Sequence, residues 1–379
     1  MTYITVKLPP IYQQMSLEEF LFGLETKPRV INSNYTNTRT YVVDTVPQKL
    51  LETLRVDKLI TLLMKFNEST QELREKDTKT LYHTFHLPKK SGGVRRIDAP
   101  LPELMDALRH LKTIFEEGFG VLYHTSAFAY IKNRCAVDAI KRHQANESKW
   151  FGKYDLSDFF GSTTLDFVMR MFSMVYPFSE VVKFDDGREE LRKALSLAFL
   201  NGGLPQGTPI SPLITTVMMI PIDHKLSNSL RDFNGQRYIY TRYADDFTIS
   251  SRYSFSFEEI EKHIVDCLKS FEAPFTIKSS KTRYGSSAGS NWNLGVMLNK
   301  DNQITVGYKK KRQFKAMLTS YVMDKLSGVT WEKYDVQVMD GLRNYYHSVE
   351  GEVIDRLIEH IGMKFNVDII GLIKEDLRA

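Results

Sequence analysis

The chain has 379 residues, 42% of them apolar, which is length for two or three ordinary domains and enough apolar material to fill their cores. Lys and Arg total 51 against 46 Asp and Glu, and the resulting formal charge of +5 is too small to name a partner by itself. Two cysteines, Cys135 and Cys267, exclude a disulfide framework, and the lack of CxxC or Cys/His spacing excludes a zinc module.

The opening MTYITVKLPPIYQQ has no basic stretch followed by an apolar core, and no run approaches the roughly 18 apolar residues of a membrane span, so a cytoplasmic protein with no membrane partner is expected. Residues 1 to about 45 are polar and punctuated by Pro9, Pro10 and INSNYTNTRT, which predicts an extension made of loops. From Pro47 to about Leu73, the spacing of Leu50, Leu51, Leu54, Leu59, Leu62, Leu63 and Phe66 predicts an amphipathic helix. YHTFHLP and VRRIDA read as two strands joined by KKSGG, a basic hairpin. After Pro100, Leu101, Leu104, Met105, Leu108, Leu111, Ile114 and Phe115 follow a 3.6-residue period and predict a core helix. WFGKYDLSDFF and RYIYTRYADDFTISS are strand-like, and NGGLPQGTPIS between them opens a long apolar helix from Pro212 that Pro221 kinks or ends. A helix over about Ser256 to Phe271, strands around FTIKSSKTRYG and NLGVMLNKDNQITVG, and a mainly helical stretch from Tyr308 complete the chain.

The chemistry concentrates in Tyr238 to Ser251, where Asp245 and Asp246 lie between two strand-like runs. Neighbouring side chains on a regular strand point to opposite faces, so adjacent acids can serve one site only near a turn. Aromatic and β-branched flanks imply burial, and two buried carboxylates need a compensating cation. The plain alternative is a solvent-exposed hairpin turn. Asp155 supplies a third acid after an apolar strand, and hard oxygen ligands from separate strands suit Mg²⁺. Asp158 reads as a helix N-cap or a surface acid, and Phe159 as core.

YADD between strands, D-x-x-x-F-F upstream and LPQGTPISP between them, in this order, resemble the palm motifs of reverse transcriptases. The resemblance covers about residues 80 to 320 and implies an α+β right-hand polymerase fold, with fingers and palm on an antiparallel sheet and a helical thumb. It implies fingers at 76–150, palm at 151–290, and primer grip and thumb at 291–379, after the N-terminal extension with an amphipathic helix read at 1–75. The activity implied is RNA-directed DNA polymerisation, with an RNA template, a DNA product and dNTPs as partners. Asp155, Asp245 and Asp246 match the catalytic, metal-binding aspartates, for two Mg²⁺ ions with Mn²⁺ as the alternative. Gln206 and Gly207 match the turn at the nascent base pair, and Phe160 matches the bulky position that would clash with a ribose 2′-OH.

HLPKKSGGVRRIDAP is similar to the fingers hairpin of bacterial and group II intron-like enzymes, which puts Lys89 and Arg95 on triphosphate oxygens unless they are solvated hairpin charges. SAFAYIKNRCAVDAIKRH resembles the segment preceding the first palm motif in this group, which implies that Arg134 contacts template or incoming nucleotide. IKSSKT puts Lys281 where the family commonly has a lysine near the pyrophosphate, which implies a general acid or simply a residue on the nucleic-acid face. YKKKRQFKAML opens the thumb, with Lys309, Lys310, Lys311 and Arg312 toward phosphate and Phe314 and Leu318 inward.

Retron enzymes are similar in size, fingers and palm. Their NAxxH element is matched by Asp138-Ala139 with His143 one place late, and their VTG element by Ile304-Thr305-Val306-Gly307. The resemblance is therefore assigned to the broader bacterial group of retron-like, group II intron-like and defence-associated (abortive-infection) reverse transcriptases. That group implies a role in antiviral defence, a dedicated non-coding RNA or accessory effector, and an oligomeric state left open. Two alternatives are a protein-primed or template-independent DNA polymerase on the same fold, and a catalytically silent nucleic-acid scaffold. Three clustered acids facing phosphate argue against the scaffold.

Overall fold

The computed structural model describes residues 2–7, 29–32, 38–43, 56–88, 92–119, 123–287 and 295–378, with the backbone alone for the first three segments. The chain forms two compact units, one of residues 1–123 with 158–221 and the other of 124–157 with 222–379.

In the first unit, β1 (Thr2–Lys7), β2 (Arg29–Asn32) and β3 (Thr38–Val43) make an antiparallel sheet in the order β1-β3-β2. This corrects the expectation of loops. TYITVK and TRTYVV carry the β-branched and aromatic residues that suit a pleated surface. The helix Val56–Ser69 buries Leu59, Leu63, Phe66 and Asn67 on one stripe and packs against the helix Asp185–Ser196. Part of the predicted Pro47–Leu73 helix, before residue 56, lies outside the described residues.

The basic hairpin is present as β4 (Tyr82–Pro88) and β5 (Val94–Pro100), paired from Tyr82↔Pro100 to Pro88↔Val94. The helix Pro102–Phe119 buries Leu104, Leu108, Leu111 and Phe115 at the expected spacing. Phe115 meets Phe178 edge-on with centroids 5.1 Å apart, and Phe172 lies 4.6 Å from Phe178. The apolar helix runs Ser211–Met218 and restarts as Ile220–Ser229, with Pro221 in the first turn of the second piece, where no donor is lost.

In the second unit, β6 (Trp150–Asp155), β7 (Ile239–Tyr243), β8 (Asp246–Ser251) and β9 (Arg283–Ser286) form one antiparallel sheet, ordered β7-β8-β6-β9. Alternation assigns its faces. Phe151 packs with Ile140 of the helix Ala136–Ala145, whereas Tyr154 stacks on Phe257 of the helix Phe257–Ser270 at 4.8 Å. Residues 151 and 154 have opposite parity, so the two helices cover opposite faces. Lys153, Asp155, Thr241, Asp246 and Ser250 share the face of Phe151, and Tyr240, Arg242 and Phe247 share the other.

β10 (Met297–Leu298) pairs with β11 (Ile304–Thr305), and the helices Tyr308–Leu326, Lys333–Phe365 and Ile369–Arg378 follow. They share a core of Phe314, Leu318, Tyr321, Val336, Met339, Ile354, Ile361 and Ile369. The long helix kinks at Glu350, whose φ of −138° leaves the helical region. Its carboxylate accepts from Thr305 Oγ1, the Val306 amide and Lys311 Nζ, which ties the kink to the turn entering the first of these helices.

Candidate active site

Asp155 ends β6 and Asp246 begins β8, directly opposite in register. Asp245 occupies the turn between β7 and β8, so alternation does not fix its direction. Ala244 before it has φ +57°, positive at the first central position as in a type II′ turn, where an L-residue is strained. The expected conflict between adjacent acids is thus resolved by a two-residue turn. Asp155 is buried at 5% exposure. Its carbonyl accepts from the Lys278 amide at 2.7 Å, and the Leu156 amide donates to Asp245 O at 3.1 Å, so backbone bonds hold the acid-bearing segments together.

Burial and the neighbouring Asp246 push the Asp245 carboxyl above its ordinary range. Burial also raises Asp246, opposed by the ammonium of Lys153. Lys153 Nζ lies 2.6 Å from Asp246 Oδ2, and Lys281 Nζ lies 2.8 Å from Asp155 Oδ2. Lys281 is held above the usual lysine range by its hydrogen bond to Asp155. Among the described residues, no group of three or more His, Cys, Asp or Glu side chains stands as a preformed metal cage. Three carboxylates with two ammonium counter-charges nonetheless fit a divalent ion chemically: the donors are hard oxygens, and two of them are destabilised as anions until a cation arrives. Lys153 was not singled out in the sequence. Its signal was the i, i+2 alternation that puts it on the face of Asp155.

Gln206, Gly207, Phe160 and Arg95, which the resemblance assigns to nucleotide binding, belong to the other unit. The Gln206 carbonyl accepts from the Asp98 amide at 2.8 Å, and the Asp98 carboxylate takes Arg96 Nε at 2.9 Å and Thr84 Oγ1 at 2.6 Å. Gly207 has φ +125°, and a Cβ there would sit 2.8 Å from Asp98 O, so the turn lies against β5 only because it is glycine. The half-buried Phe160 is joined to the same loop, its carbonyl accepting from the Leu204 amide at 3.0 Å. Arg95 is exposed on β5, while Lys89 lies outside the described residues. Phe159 is core at 3% exposure, and Asp158 is an exposed turn residue with φ +44°. Gly203 meets Gly161 backbone to backbone, and a Cβ on Gly203 would fall 2.1 Å from Gly161 O. Gly203→Ala is therefore expected to cost about 3 kcal/mol, read as a lower urea midpoint, because backbone rather than a flexible side chain must yield.

The remaining basic candidates separate. Arg134 Nη1 donates to His124 O at 2.6 Å and Ala127 O at 2.8 Å, bracing its own loop. Lys310 Nζ donates to Gly295 O at 3.0 Å, and Lys311 Nζ pairs with Glu350 at 2.6 Å. Lys309 and Arg312 are exposed. His143 is fully buried, with Nδ1 2.6 Å from Ser250 Oγ and Nε2 2.8 Å from Thr241 Oγ1, and burial drives it down to about 3, which keeps the ring neutral. Among the described residues no helix is long and apolar enough to cross a membrane.

Residues 87–316, more than half of the chain, match the family described as reverse transcriptase (RNA-dependent DNA polymerase). The Retron Ec83 reverse transcriptase of Escherichia coli is 25% identical over 312 residues, covering 80% of this chain and 94% of that protein. The Retron Ec73 reverse transcriptase of Escherichia coli is 28% identical over 212 residues, covering 54% of this chain and 64% of that protein. The Retron Mx162 reverse transcriptase of Myxococcus xanthus is 32% identical over 186 residues, covering 47% of this chain and 37% of that protein. With YADD on a two-residue turn opposite Asp155, and with this family match, the chain belongs to the reverse transcriptase family as a retron-like bacterial RNA-directed DNA polymerase of the α+β right-hand fold.

Proposed function

We propose that Asp155, Asp245 and Asp246 hold two Mg²⁺ ions, or Mn²⁺ in their place, for templated addition of dNTPs. The observation that carries this is the pairing of Asp155 with Asp246 at facing strand ends, Asp245 in the adjoining turn, and charge balance supplied by Lys153 and Lys281. Such ions, when bound, activate the attacking 3′-hydroxyl and neutralise the departing pyrophosphate. Lys281, kept charged by its carboxylate partner, would hold a phosphate oxygen or deliver a proton to pyrophosphate. Gln206 and Gly207 would lie against the nascent pair, Phe160 would exclude the 2′-hydroxyl, and Arg95 with Lys89 would grip the triphosphate. Lys309 and Arg312 are the thumb cations best disposed toward nucleic-acid phosphate, since both are exposed, while Arg134, Lys310 and Lys311 would contribute only by exchanging their present partners.

Fingers at 76–150, palm at 151–290, and primer grip and helical thumb at 291–379 would be the functional divisions that go with these roles. The likeness to retron enzymes supports a dedicated non-coding RNA as partner and a role in antiviral defence in the bacterial cytoplasm. The test is purification from cells, sequencing of co-purified nucleic acid, and incubation with Mg²⁺ and labelled dNTPs or NTPs, before and after RNase and protease. A defined RNA that templates dNTP incorporation is the expected result. DNA that remains on the polypeptide would replace this reading by protein priming.

A further inference from the structure

Arg242 is 2% exposed, and its guanidinium is almost wholly engaged. Nε and Nη2 each lie 2.8 Å from a different oxygen of Asp223, and Nη1 donates to Ala244 O at 3.1 Å. Tyr240 donates its hydroxyl to Asp223 Oδ1 at 2.7 Å. The Arg242 backbone is also held, its amide donating to Ser126 O at 2.7 Å and its carbonyl accepting from Phe128 N at 2.9 Å. A fully buried Arg–Asp pair is weak evidence for stability, because an apolar replacement of similar shape is often neutral or better. The third bond gives the pair another purpose. It grips the carbonyl of the strained residue with φ +57° that directly precedes Asp245 and Asp246, from the opposite face of the sheet.

We propose that Arg242 is a positioning residue for DNA synthesis: anchored by Asp223, with Tyr240 bracing the anchor, it clamps the Ala244 carbonyl and fixes the turn that aims Asp245 and Asp246. This rests on those two acids acting as metal ligands. Its physical content is that Ala244 leaves the left-handed region when released, and the carboxylates then lose their common aim. The pair is not legible locally, since Asp223 and Arg242 stand 19 residues apart on a helix and a strand.

The test uses two variants of the whole chain. Arg242→Lys keeps a charge beside Asp223 but cannot bind it with two parallel bonds and also reach Ala244 O. The triple variant Asp223→Leu, Tyr240→Phe, Arg242→Met removes the network without leaving a buried charge. Both are expected to bind RNA as the parent does and to lose about 10- to 100-fold in kcat per folded molecule, with little change in KM for dNTP. The Mg²⁺ dependence of the melting temperature is expected to weaken, a readout independent of turnover. Ala244→Gly in the triple background is expected to restore several-fold of the lost rate, since glycine adopts positive φ without strain. Parent-like kcat per folded molecule in both variants, a rate that merely follows the folded fraction, or no recovery with glycine would each overturn the clamp. Synthesis retained by an Asp245→Ala, Asp246→Ala chain would instead overturn the metal-ligand reading beneath it.

Discussion

Asp245→Ala combined with Asp246→Ala is expected to lower DNA synthesis by at least about 10³-fold while RNA binding stays near that of the parent. The size follows from the work assigned to the acids. Divalent ions at a phosphoryl centre supply several kcal/mol of transition-state stabilisation, and each 1.4 kcal/mol or so is tenfold in rate. Binding survives because the acids repel phosphate when no ion is present, so their loss removes an unfavourable contribution. Primer extension on an RNA template, with filter binding of the same RNA in parallel, separates the two effects. Retained extension in a clean preparation would sink the two-metal assignment. A stability effect of opposite sign accompanies this. A carboxyl whose folded pKa is raised above the unfolded value favours folding when protonated, and that contribution fades as pH rises through the folded pKa. Asp245 is such a group. Asp245→Asn, which removes the charge and leaves the Lys153–Asp246 pair intact, is therefore expected to raise the melting temperature at pH 7 in metal-free buffer.

What the sequence disclosed and what it withheld follow the range of the physics involved. The placement of Asp245 and Asp246 at a turn was legible because adjacent acids among β-branched and aromatic residues violate the alternation of a half-buried strand, and a turn resolves the violation. The hairpin around Gly92 and Gly93 and the core helix after Pro100 were legible because glycine and 3.6-residue periodicity are local signals. The N-terminal strands were missed although Thr2–Lys7 carries period-2 residues, since the prolines and asparagines around it outweighed a short run. The inward turn of Lys310 and Lys311 was missed for a different reason. A run of four cations reads as one face toward phosphate, but a helix distributes successive residues by about 100°, so Lys309 and Arg312 stay outside while Lys311 finds Glu350, 39 residues on. Glu350 is itself placed by the kink it makes, which no window of sequence around the lysines contains.

The lysines at the acids link the fold to the chemistry. Without a divalent ion, Lys153 and Lys281 neutralise Asp246 and Asp155 at hydrogen-bond distance, so the strand ends can be buried in a folded chain before any cofactor arrives. Lys153 is only 15% exposed and leaves its carboxylate at a desolvation cost, whereas Lys281 is 51% exposed and can swing toward a phosphate with little penalty. The more exposed partner is thus the one proposed to contact pyrophosphate.

Phe160→Ala is expected to change the choice of sugar rather than the chemistry. As the proposed gate, a bulky ring at this position would discriminate by a clash with the 2′-hydroxyl of a ribonucleotide, a repulsive device that would add nothing to dNTP binding beyond contact area. Removing it should reduce the ratio of kcat/KM for dNTP over NTP by on the order of 10²-fold, mostly through improved NTP use. The side chain is a sound target because it is half-buried, whereas its carbonyl, accepting from Leu204 N at 3.0 Å, carries the attachment to the Gln206–Gly207 loop and is unaffected by truncation. The same truncation at Phe159, 3% exposed and 5.6 Å from Phe160 edge-on, removes core instead and should lower stability by about 3 to 5 kcal/mol. Single-nucleotide incorporation with matched dNTP and NTP on one RNA template, measured for both variants, distinguishes them. A Phe160→Ala enzyme with unchanged sugar discrimination and unchanged melting temperature would remove the gate assignment, and the preference for deoxynucleotides would have to come from another contact to the sugar.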